Sequence, residues 1–259
     1  MRYEIMGPVR VIHEEDQVNI NAQKVATLLA VLLVRSNQVV TVDQLITEIW
    51  GDEPPRRVTA ALHVYVSQIR KFLKRSGRED GPVLTRPHGY MLCLGSDVLD
   101  LRIFDELVGE GREGFRSRNF EAATRSFEEA LGLCRGPLLG GACRGPILYG
   151  YQTWFNEVRL ECMEMLIDAR LALGRHRELV SDLYRLGTEH PLRETFHRQL
   201  MLALHRSDRQ ADALQVYQRA RRTLNDELGL EPGRALQEMQ HAILTADHRL
   251  VLPDCAPQL

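Results

Sequence analysis

The sequence predicts a mainly α fold, in which a first part with short strands and three helices precedes a second part built of helices alone. Residues 2–20 alternate apolar and polar side chains, which is typical of short strands. Residues 24–75 carry three successive helical patterns, and a hairpin pattern follows at residues 83–94. From residue 101 to residue 246 nearly every stretch has helical spacing, and no strand pattern there is convincing.

The length and a change in composition indicate two domains rather than one. A chain of 259 residues that is 44% hydrophobic and 26% charged has enough apolar material for two cores. After about Ser96 the composition shifts towards arginine, glutamate, leucine and alanine. We therefore predict a first domain at residues 1–95, a helical domain at residues 96–250 and a flexible tail at residues 251–259.

Patterns that the sequence lacks argue against several classes of protein. The longest apolar run is about half a bilayer span, and the first residues lack the layout of a signal peptide. The five cysteines are odd in number and lack C-x-x-C spacing, so reduced thiols are favoured over the minor alternatives of a disulfide framework or a zinc knuckle. No nucleotide-binding or hydrolase motif occurs. We expect a cytoplasmic, nucleoid-associated protein with no membrane association, metal, cofactor or enzyme activity.

Each of the three helices in the first part has its own signal. The first helix is expected at residues 24–36, where apolar side chains cover a broad face. The second begins at Thr41, where Gln44 three residues later forms a capping box, and it stops at Gly51. The third runs from about residue 57 to residue 75, after a loop that contains consecutive prolines.

The third helix has one apolar and one polar face. The spacing of four residues predicts a core-facing stripe: Leu62, Val66, Ile69 and Leu73. The opposite stripe carries small, hydroxyl and basic groups, with Arg57 and Gln68 beside it: Ala60, Val64, Ser67, Lys71 and Arg75. The net charge of the chain is −2, yet residues 56–78 contain seven basic residues and no acidic one. A local basic face matters more than the total, because phosphate attraction acts over roughly 8–10 Å.

The polar face has the chemistry that a DNA major groove requires. Gln68 suits adenine, and Ser67 suits a base edge or a phosphate. Either Ala60 or Val64 suits a thymine methyl group. Lys71, Lys74 and Arg75 would neutralise phosphates. For this helix alone, an ordinary solvated surface is an equally good interpretation.

The hairpin after the third helix favours the DNA interpretation. Two strand patterns flank the turn Pro87-His88-Gly89, and Arg86 and His88 lie at its tip. Two helices, a basic third helix and such a hairpin occur in the order of winged-helix domains, whose hairpin reaches an adjacent groove or phosphate. The predicted DNA-binding residues are Arg56, Arg57, Thr59, Val64, Ser67, Gln68, Lys71, Lys74, Arg75, Arg86 and His88.

These segments resemble the winged-helix domain of OmpR-type response regulators. The resemblance rests on residues 64–73, VYVSQIRKFL, and on residues 85–90, TRPHGY, which are similar to that family's wing. Gln68 occupies a position that is often arginine in such helices. The resemblance implies that the loop between the second and third helices faces RNA polymerase, with the candidate contacts Asp52, Glu53 and Pro54.

The second half contains similar helix starts 34 residues apart, at residues 174–179 and 208–213, which indicates tetratricopeptide-like helical hairpins. Its longer motifs are similar to the bacterial transcriptional activation domain of the Streptomyces antibiotic regulatory proteins, the SARP family. They lie at residues 190–194, 199–206, 209–217 and 224–233. The stretch 133–139, LCRGPLL, resembles that family's Leu-Trp-Arg-Gly-Pro motif, with Cys134 in place of tryptophan.

Together the two resemblances cover about residues 2–246 and imply a transcriptional activator. Such a protein binds direct repeats near the promoter −35 element as a homodimer or as side-by-side protomers. It recruits RNA polymerase holoenzyme, through sigma region 4 and other subunits, at a secondary-metabolite gene cluster such as one for an antibiotic. The alternative is a helical-repeat adaptor that binds protein and does not read DNA; an enzyme is a more distant third.

Overall fold

A computed structural model describes residues 1–13, 16–20, 22–74, 81–141, 145–247 and 250. The chain forms two compact units: residues 1–109 with 128–160, and residues 110–127 with 161–259. The predicted domain boundary at residues 95/96 stays a prediction. Arg75 and the predicted tail at residues 251–259 lie outside the described residues.

The strands form two small sheets in the first unit. Their bounds are β1 Arg2–Glu4, β2 Arg10–His13, β3 Asp16–Asn19, β4 Val40–Thr41, β5 Val83–Arg86, β6 Gly89–Leu92 and β7 Val98–Leu99. The first sheet has the order β3-β2-β1-β7, in which β1 and β7 pair in parallel and the other neighbours are antiparallel. The second sheet has the order β4-β6-β5 and is antiparallel throughout.

Helices make up most of the described chain, which confirms the predicted mainly α class with small sheets near the N-terminus. Their bounds are α1 Gln23–Val34, α2 Val42–Trp50, α3 Val58–Lys74, α4 Asp100–Arg116, α5 Phe120–Gly132, α6 Pro146–Ala172, α7 His176–Glu189, α8 Glu194–His205, α9 Gln210–Leu228 and α10 Arg234–Leu244. A 3-10 turn lies at Leu138–Gly141. In the described part of the chain, no helix is both long and apolar enough to cross a membrane.

The winged-helix elements pack around α1. All residues from Leu28 to Val34 are buried, because apolar side chains cover almost the whole circumference of this helix. Both α2 and α3 pack against it. The predicted capping box at the start of α2 is confirmed: the backbone N–H of Gln44 donates to Thr41 Oγ1 at 3.3 Å, and the backbone N–H of Thr41 donates to Gln44 Oε1 at 3.0 Å.

A buried carboxylate anchors the first sheet. Asp100, at the start of α4, is 1% exposed and accepts hydrogen bonds from the backbone N–H groups of Ile5 and Met6 at 2.9–3.0 Å. Arg135, from the motif that resembles Leu-Trp-Arg-Gly-Pro, lies 3.7 Å from Asp100 and 3.3 Å from Glu4. The backbone N–H of Arg135 also donates to the carbonyl of Met6 at 2.8 Å. This motif therefore fastens the segment after α5 to the first sheet.

The second unit contains the predicted helical hairpins. Helix α9 begins 34 residues after α7, and the successive pairs α7–α8 and α8–α9 pack together. Met201 and Leu204 are fully buried and Tyr217 is 6% exposed, as expected for hairpin core rather than for a ligand site. Gly229 ends α9 with a φ of 67°, the left-handed conformation that glycine adopts most readily.

Candidate nucleic-acid interface

Helix α3 buries the face that its sequence pattern predicts. Leu62, Ile69 and Leu73 have no exposed surface, and Val66 is 2% exposed. These side chains pack where α3 meets α1 and α2. The polar face of α3 is therefore held outward by a fixed apolar anchor.

All the predicted DNA-binding residues that the structure describes are exposed. On α3 they include Val64, whose side chain is 53% exposed although it is apolar. We call the following set the α3 face: Thr59, Ala60, Val64, Ser67, Gln68, Lys71 and Lys74. Arg75, which was expected to continue this face, lies outside the described residues.

The α2–α3 loop lies directly before this helix and is exposed along its length. Asp52, Glu53 and Pro54 are exposed, as are Arg56 and Arg57. The loop begins where Gly51 closes α2 with a φ of 59°. Acidic groups therefore lie at one end of the loop and basic groups at the end that adjoins α3.

Strands β5 and β6 form the wing, and Arg86 pairs with Gly89 across its tip. Arg86 and His88 are both exposed, and His88 has a left-handed φ of 65°. The backbone N–H of Val42 donates to the carbonyl of His88 at 3.0 Å, which ties the tip to the start of α2. Gly89 has no room for a side chain, because a Cβ there would lie 2.1 Å from the carbonyl oxygen of Val40.

One residue of the basic segment has a structural role that the sequence did not indicate. Arg70 donates from Nε to the carbonyl of Val83 at 3.0 Å and from Nη2 to Thr85 Oγ1 at 2.8 Å. Its guanidinium also lies over the Tyr90 ring, 5.9 Å from the centroid. Arg70 therefore joins α3 to the wing instead of extending towards solvent.

Aromatic stacking fixes α3 against α2. The rings of Trp50 and Tyr65 stack with centroids 5.6 Å apart and an angle of 17° between their planes. The Lys24 ammonium group lies over the Trp50 ring at 5.4 Å. These contacts, with the buried stripe and Arg70, set the orientation of the α3 face relative to the wing.

Among the residues that the structure describes, the remaining cations around this surface have no acidic partner within ion-pair distance. Arg56, Arg57, Lys71, Lys74 and Arg86 form no ion pair within the part of the chain that the structure describes. An exposed cation whose partner is water can exchange its hydration for a phosphate, and the counterions released from DNA favour that exchange. The described residues contain no group of three histidine, cysteine or acidic side chains that suits a metal ion.

Comparison with protein families places the same elements in two known domains. Residues 16–92 match the family described as "Transcriptional regulatory protein, C terminal", which is the OmpR-type winged helix. Residues 99–244 match the "Bacterial transcriptional activator domain". The fold and the exposed helix thus define a transcriptional regulator that joins these two domains.

Individual relatives align with almost the whole of this chain. The chain is 32% identical to the regulatory protein DnrI of Streptomyces peucetius, over 95% of this chain and 93% of DnrI. It is 34% identical to the transcriptional regulator RedD of Streptomyces coelicolor, over 96% of this chain and 72% of RedD. It is 37% identical to the regulatory protein AfsR of the same species, of which it spans 25% of the length.

A solved structure extends the likeness to three dimensions. The structure of Mycobacterium tuberculosis EmbR in complex with a low affinity phosphopeptide aligns with a TM-score of 0.90 at 31% identity, over 98% of this chain and 66% of EmbR. The chain belongs to the SARP family of transcriptional regulators. This family consists of regulators and not of enzymes.

Proposed function

We propose that this protein is a sequence-specific transcriptional activator that places α3 in the major groove of promoter DNA. The observation that carries the proposal is the α3 face, an exposed polar and basic surface on a helix whose opposite side is fully anchored. A helix of this kind fits the groove, where side chains reach base edges directly.

Different parts of the surface supply different contacts. Gln68 reads an adenine, Ser67 reaches a base edge and Val64 contacts a thymine methyl group. Lys71 and Lys74 neutralise phosphates on the flanks of the groove. Phosphate or sugar contacts also come from the groups at the start of α3 and at the wing tip: Arg56, Arg57, Thr59, Arg86 and His88.

Activation follows from contacts at the end of the α2–α3 loop that adjoins α2. Asp52, Glu53 and Pro54 are exposed and face away from the buried core, so they are accessible to RNA polymerase. The two matched domains support a role in transcription. We extend the proposal to side-by-side protomers that bind direct repeats near the −35 element, contact sigma region 4 and control an antibiotic gene cluster. The protein acts in the cytoplasm. The polymerase contact and the repeat spacing are parts of the same proposal.

DNA binding is tested by measuring affinity as a function of salt. Duplexes selected from a randomised pool serve as ligands, and fluorescence anisotropy gives the dissociation constants. Removing two phosphate contacts with Lys71→Ala and Lys74→Ala lowers the slope of log affinity against log salt by about 2, since each contact contributes about 0.9. Gln68→Ala relaxes preference at one base pair by about 1–3 kcal/mol.

The matched control removes two exposed cations elsewhere. Arg219→Ala with Arg222→Ala changes the net charge equally, but both residues lie on α9, in the second unit. This variant retains the wild-type salt slope. Identical salt slopes in the two double variants contradict the proposal. If the protein does not bind DNA but captures a protein partner, and nuclease treatment does not disrupt that complex, the adaptor alternative is favoured.

A further inference from the structure

A solvent-accessible cavity of about 620 Å³ lies within the first unit, and none of its lining residues belongs to the α3 face or the wing. Its apolar lining comes from the end of α1, the start of α4 and the start of α6, with Leu33, Leu101 and Ile147 among the side chains. Small-molecule sites in proteins usually have volumes of about 300–1,000 Å³ and mostly apolar walls. The cavity has the size of such a site, and polar and apolar groups contribute almost equally to its lining.

Two aromatic rings form one wall of the cavity. Tyr151 and Trp154 contact edge to face, with centroids 6.2 Å apart and planes at 79°. Trp154 is 38% exposed although its indole is large and mostly apolar. Flat surfaces of this kind bind planar ring systems by stacking and by removing apolar area from water.

Two guanidinium groups provide the polar side of the same cavity. Arg35 lies over the Tyr151 ring, 5.6 Å from its centroid, and Arg102 donates to Ser36 Oγ at 3.1 Å. In the described residues neither arginine forms an ion pair within 4.0 Å, although Arg35 lies near enough to Glu48 for its charge to lower the pKa of that carboxyl. Asp105 is the one acidic residue of the lining. Guanidinium groups bind carboxylates, and tetrahedral oxyanions such as phosphate or sulfonate, through paired hydrogen bonds.

The anion does not bind at the nearby N-terminus of α6. Glu48 already accepts hydrogen bonds from the backbone N–H groups of Ile147 and Leu148, so these donors are occupied. Recognition of negative charge therefore falls to Arg35 and Arg102, while recognition of a ring falls to Tyr151 and Trp154.

We propose that this cavity is a binding site for a small planar aromatic anion, such as an aromatic carboxylate or sulfonate. The ring stacks on the Trp154 indole and meets Tyr151 edge to face, because the planes of these two side chains lie at 79° to each other. The anionic group bonds to Arg35 and Arg102. The site is separate from the DNA-binding surface, so its test does not depend on DNA binding.

Two probes that differ mainly in charge test the site by titration calorimetry on the full chain. Anilinonaphthalene sulfonate carries the anion, and phenylnaphthylamine lacks it. Arg35→Gln with Arg102→Gln lowers the affinity for the sulfonate about ten-fold or more, because the anionic group loses both of its charge-assisted hydrogen-bond partners. The neutral probe binds this variant as it binds the wild type. Trp154→Ala weakens the binding of both probes.

Controls separate this site from other surfaces and from unfolding. Arg222→Gln removes a cation from the exposed face of α9 and leaves both affinities unchanged. Arg102→Gln alone is a second variant, since this exposed residue tolerates substitution, and it weakens sulfonate binding specifically. Wild-type protein that fails to bind the sulfonate overturns the proposal, as does unchanged sulfonate affinity in the arginine variants.

Discussion

Arg70 Nη2 donates to Thr85 Oγ1 at 2.8 Å, which joins the middle of α3 to the first strand of the wing. A second bond from Arg70 Nε to the carbonyl of Val83 makes the attachment two-pronged. The guanidinium fork can hold two acceptors in one plane, which a lysine ammonium group does not do. The spacing between the α3 face and the wing tip therefore depends on a residue that need not contact DNA.

The first prediction is that Arg70→Gln weakens DNA binding without changing its salt slope. Losing the two bonds to the wing lowers the free energy of unfolding by about 1–2 kcal/mol and loosens the position of Arg86. Anisotropy titrations at several salt concentrations measure the affinity for DNA and its dependence on salt. A fall in slope equal to that of Lys71→Ala would show that Arg70 neutralises a phosphate itself.

A second prediction contrasts the two faces of α3. Ile69→Ala creates a cavity at a fully buried site and lowers the free energy of unfolding by about 2–5 kcal/mol. Val64→Ala, at a site that is 53% exposed, changes that free energy by less than about 0.5 kcal/mol and weakens binding to the selected duplex. Urea denaturation and anisotropy measure the two effects. A large loss of stability in Val64→Ala would place this side chain in a core.

The sequence predicts most of this fold because periodic patterns determine helices and their buried faces. The stripe on α3, the capping box at Thr41 and the 34-residue period of the later helices all follow from local spacing. The two-residue strands β4 and β7 were missed, since two residues carry no period and these strands form only by pairing with distant partners. Long-range pairing is invisible to a local pattern.

The sequence predicts which side chains are exposed at the candidate site better than it predicts what each of them does. Exposed groups such as Gln68 and Lys71 were identified from the face they occupy. The sequence groups Arg70 with the other basic residues of α3. Its helical position lies between the apolar and polar faces, and this position could have indicated a contact with a neighbouring strand. The aromatic and basic cavity near Trp154 brings together α1, α4 and α6, which no spacing along the chain relates.

The third prediction concerns Glu48, which is 1% exposed and caps α6. Burial raises the pKa of this carboxyl above its usual range, against the opposing effect of hydrogen bonds from Ile147 and Leu148. A raised pKa in the folded state means that protonation favours folding, so this group's contribution to stability falls as pH rises from about 4.5 through the folded-state pKa. Urea denaturation across that range measures the slope.

Substitutions separate the charge of Glu48 from its hydrogen bonds. Glu48→Gln keeps an acceptor and removes this part of the pH dependence. Glu48→Ala leaves two backbone N–H groups without their partner and lowers the free energy of unfolding by about 1–3 kcal/mol. If Glu48→Gln and wild type have parallel stability profiles, the carboxyl does not titrate differently in the folded state.

The fourth prediction uses two glycines near the start of α6. At Gly145 a Cβ would lie 2.6 Å from the backbone Cα of Glu48, so Gly145→Ala requires a backbone shift and lowers the free energy of unfolding by about 1–3 kcal/mol. Gly150 has no atom within 4 Å of the same position, and Gly150→Ala raises that free energy by about 0.5–1 kcal/mol. Denaturant midpoints for the two variants should therefore move in opposite directions. Equal shifts would show that the contact between Gly145 and Glu48 is not tight.

The last prediction is that Cys134 reacts slowly with thiol reagents at neutral pH. Burial raises the pKa of its thiol to about 11, with the nearby Asp100 carboxylate raising it further and Arg159 opposing the shift. Because the thiolate is the reactive form, the rate of alkylation by iodoacetamide should still rise about ten-fold per pH unit between pH 8 and 10. Mass spectrometry of the peptide that contains Cys134 measures this rate in a variant whose other cysteines are serine. A rate that levels off below pH 9 would mean that the thiol pKa is lower than about 11. The thiol would then be more solvated than its half-buried position indicates.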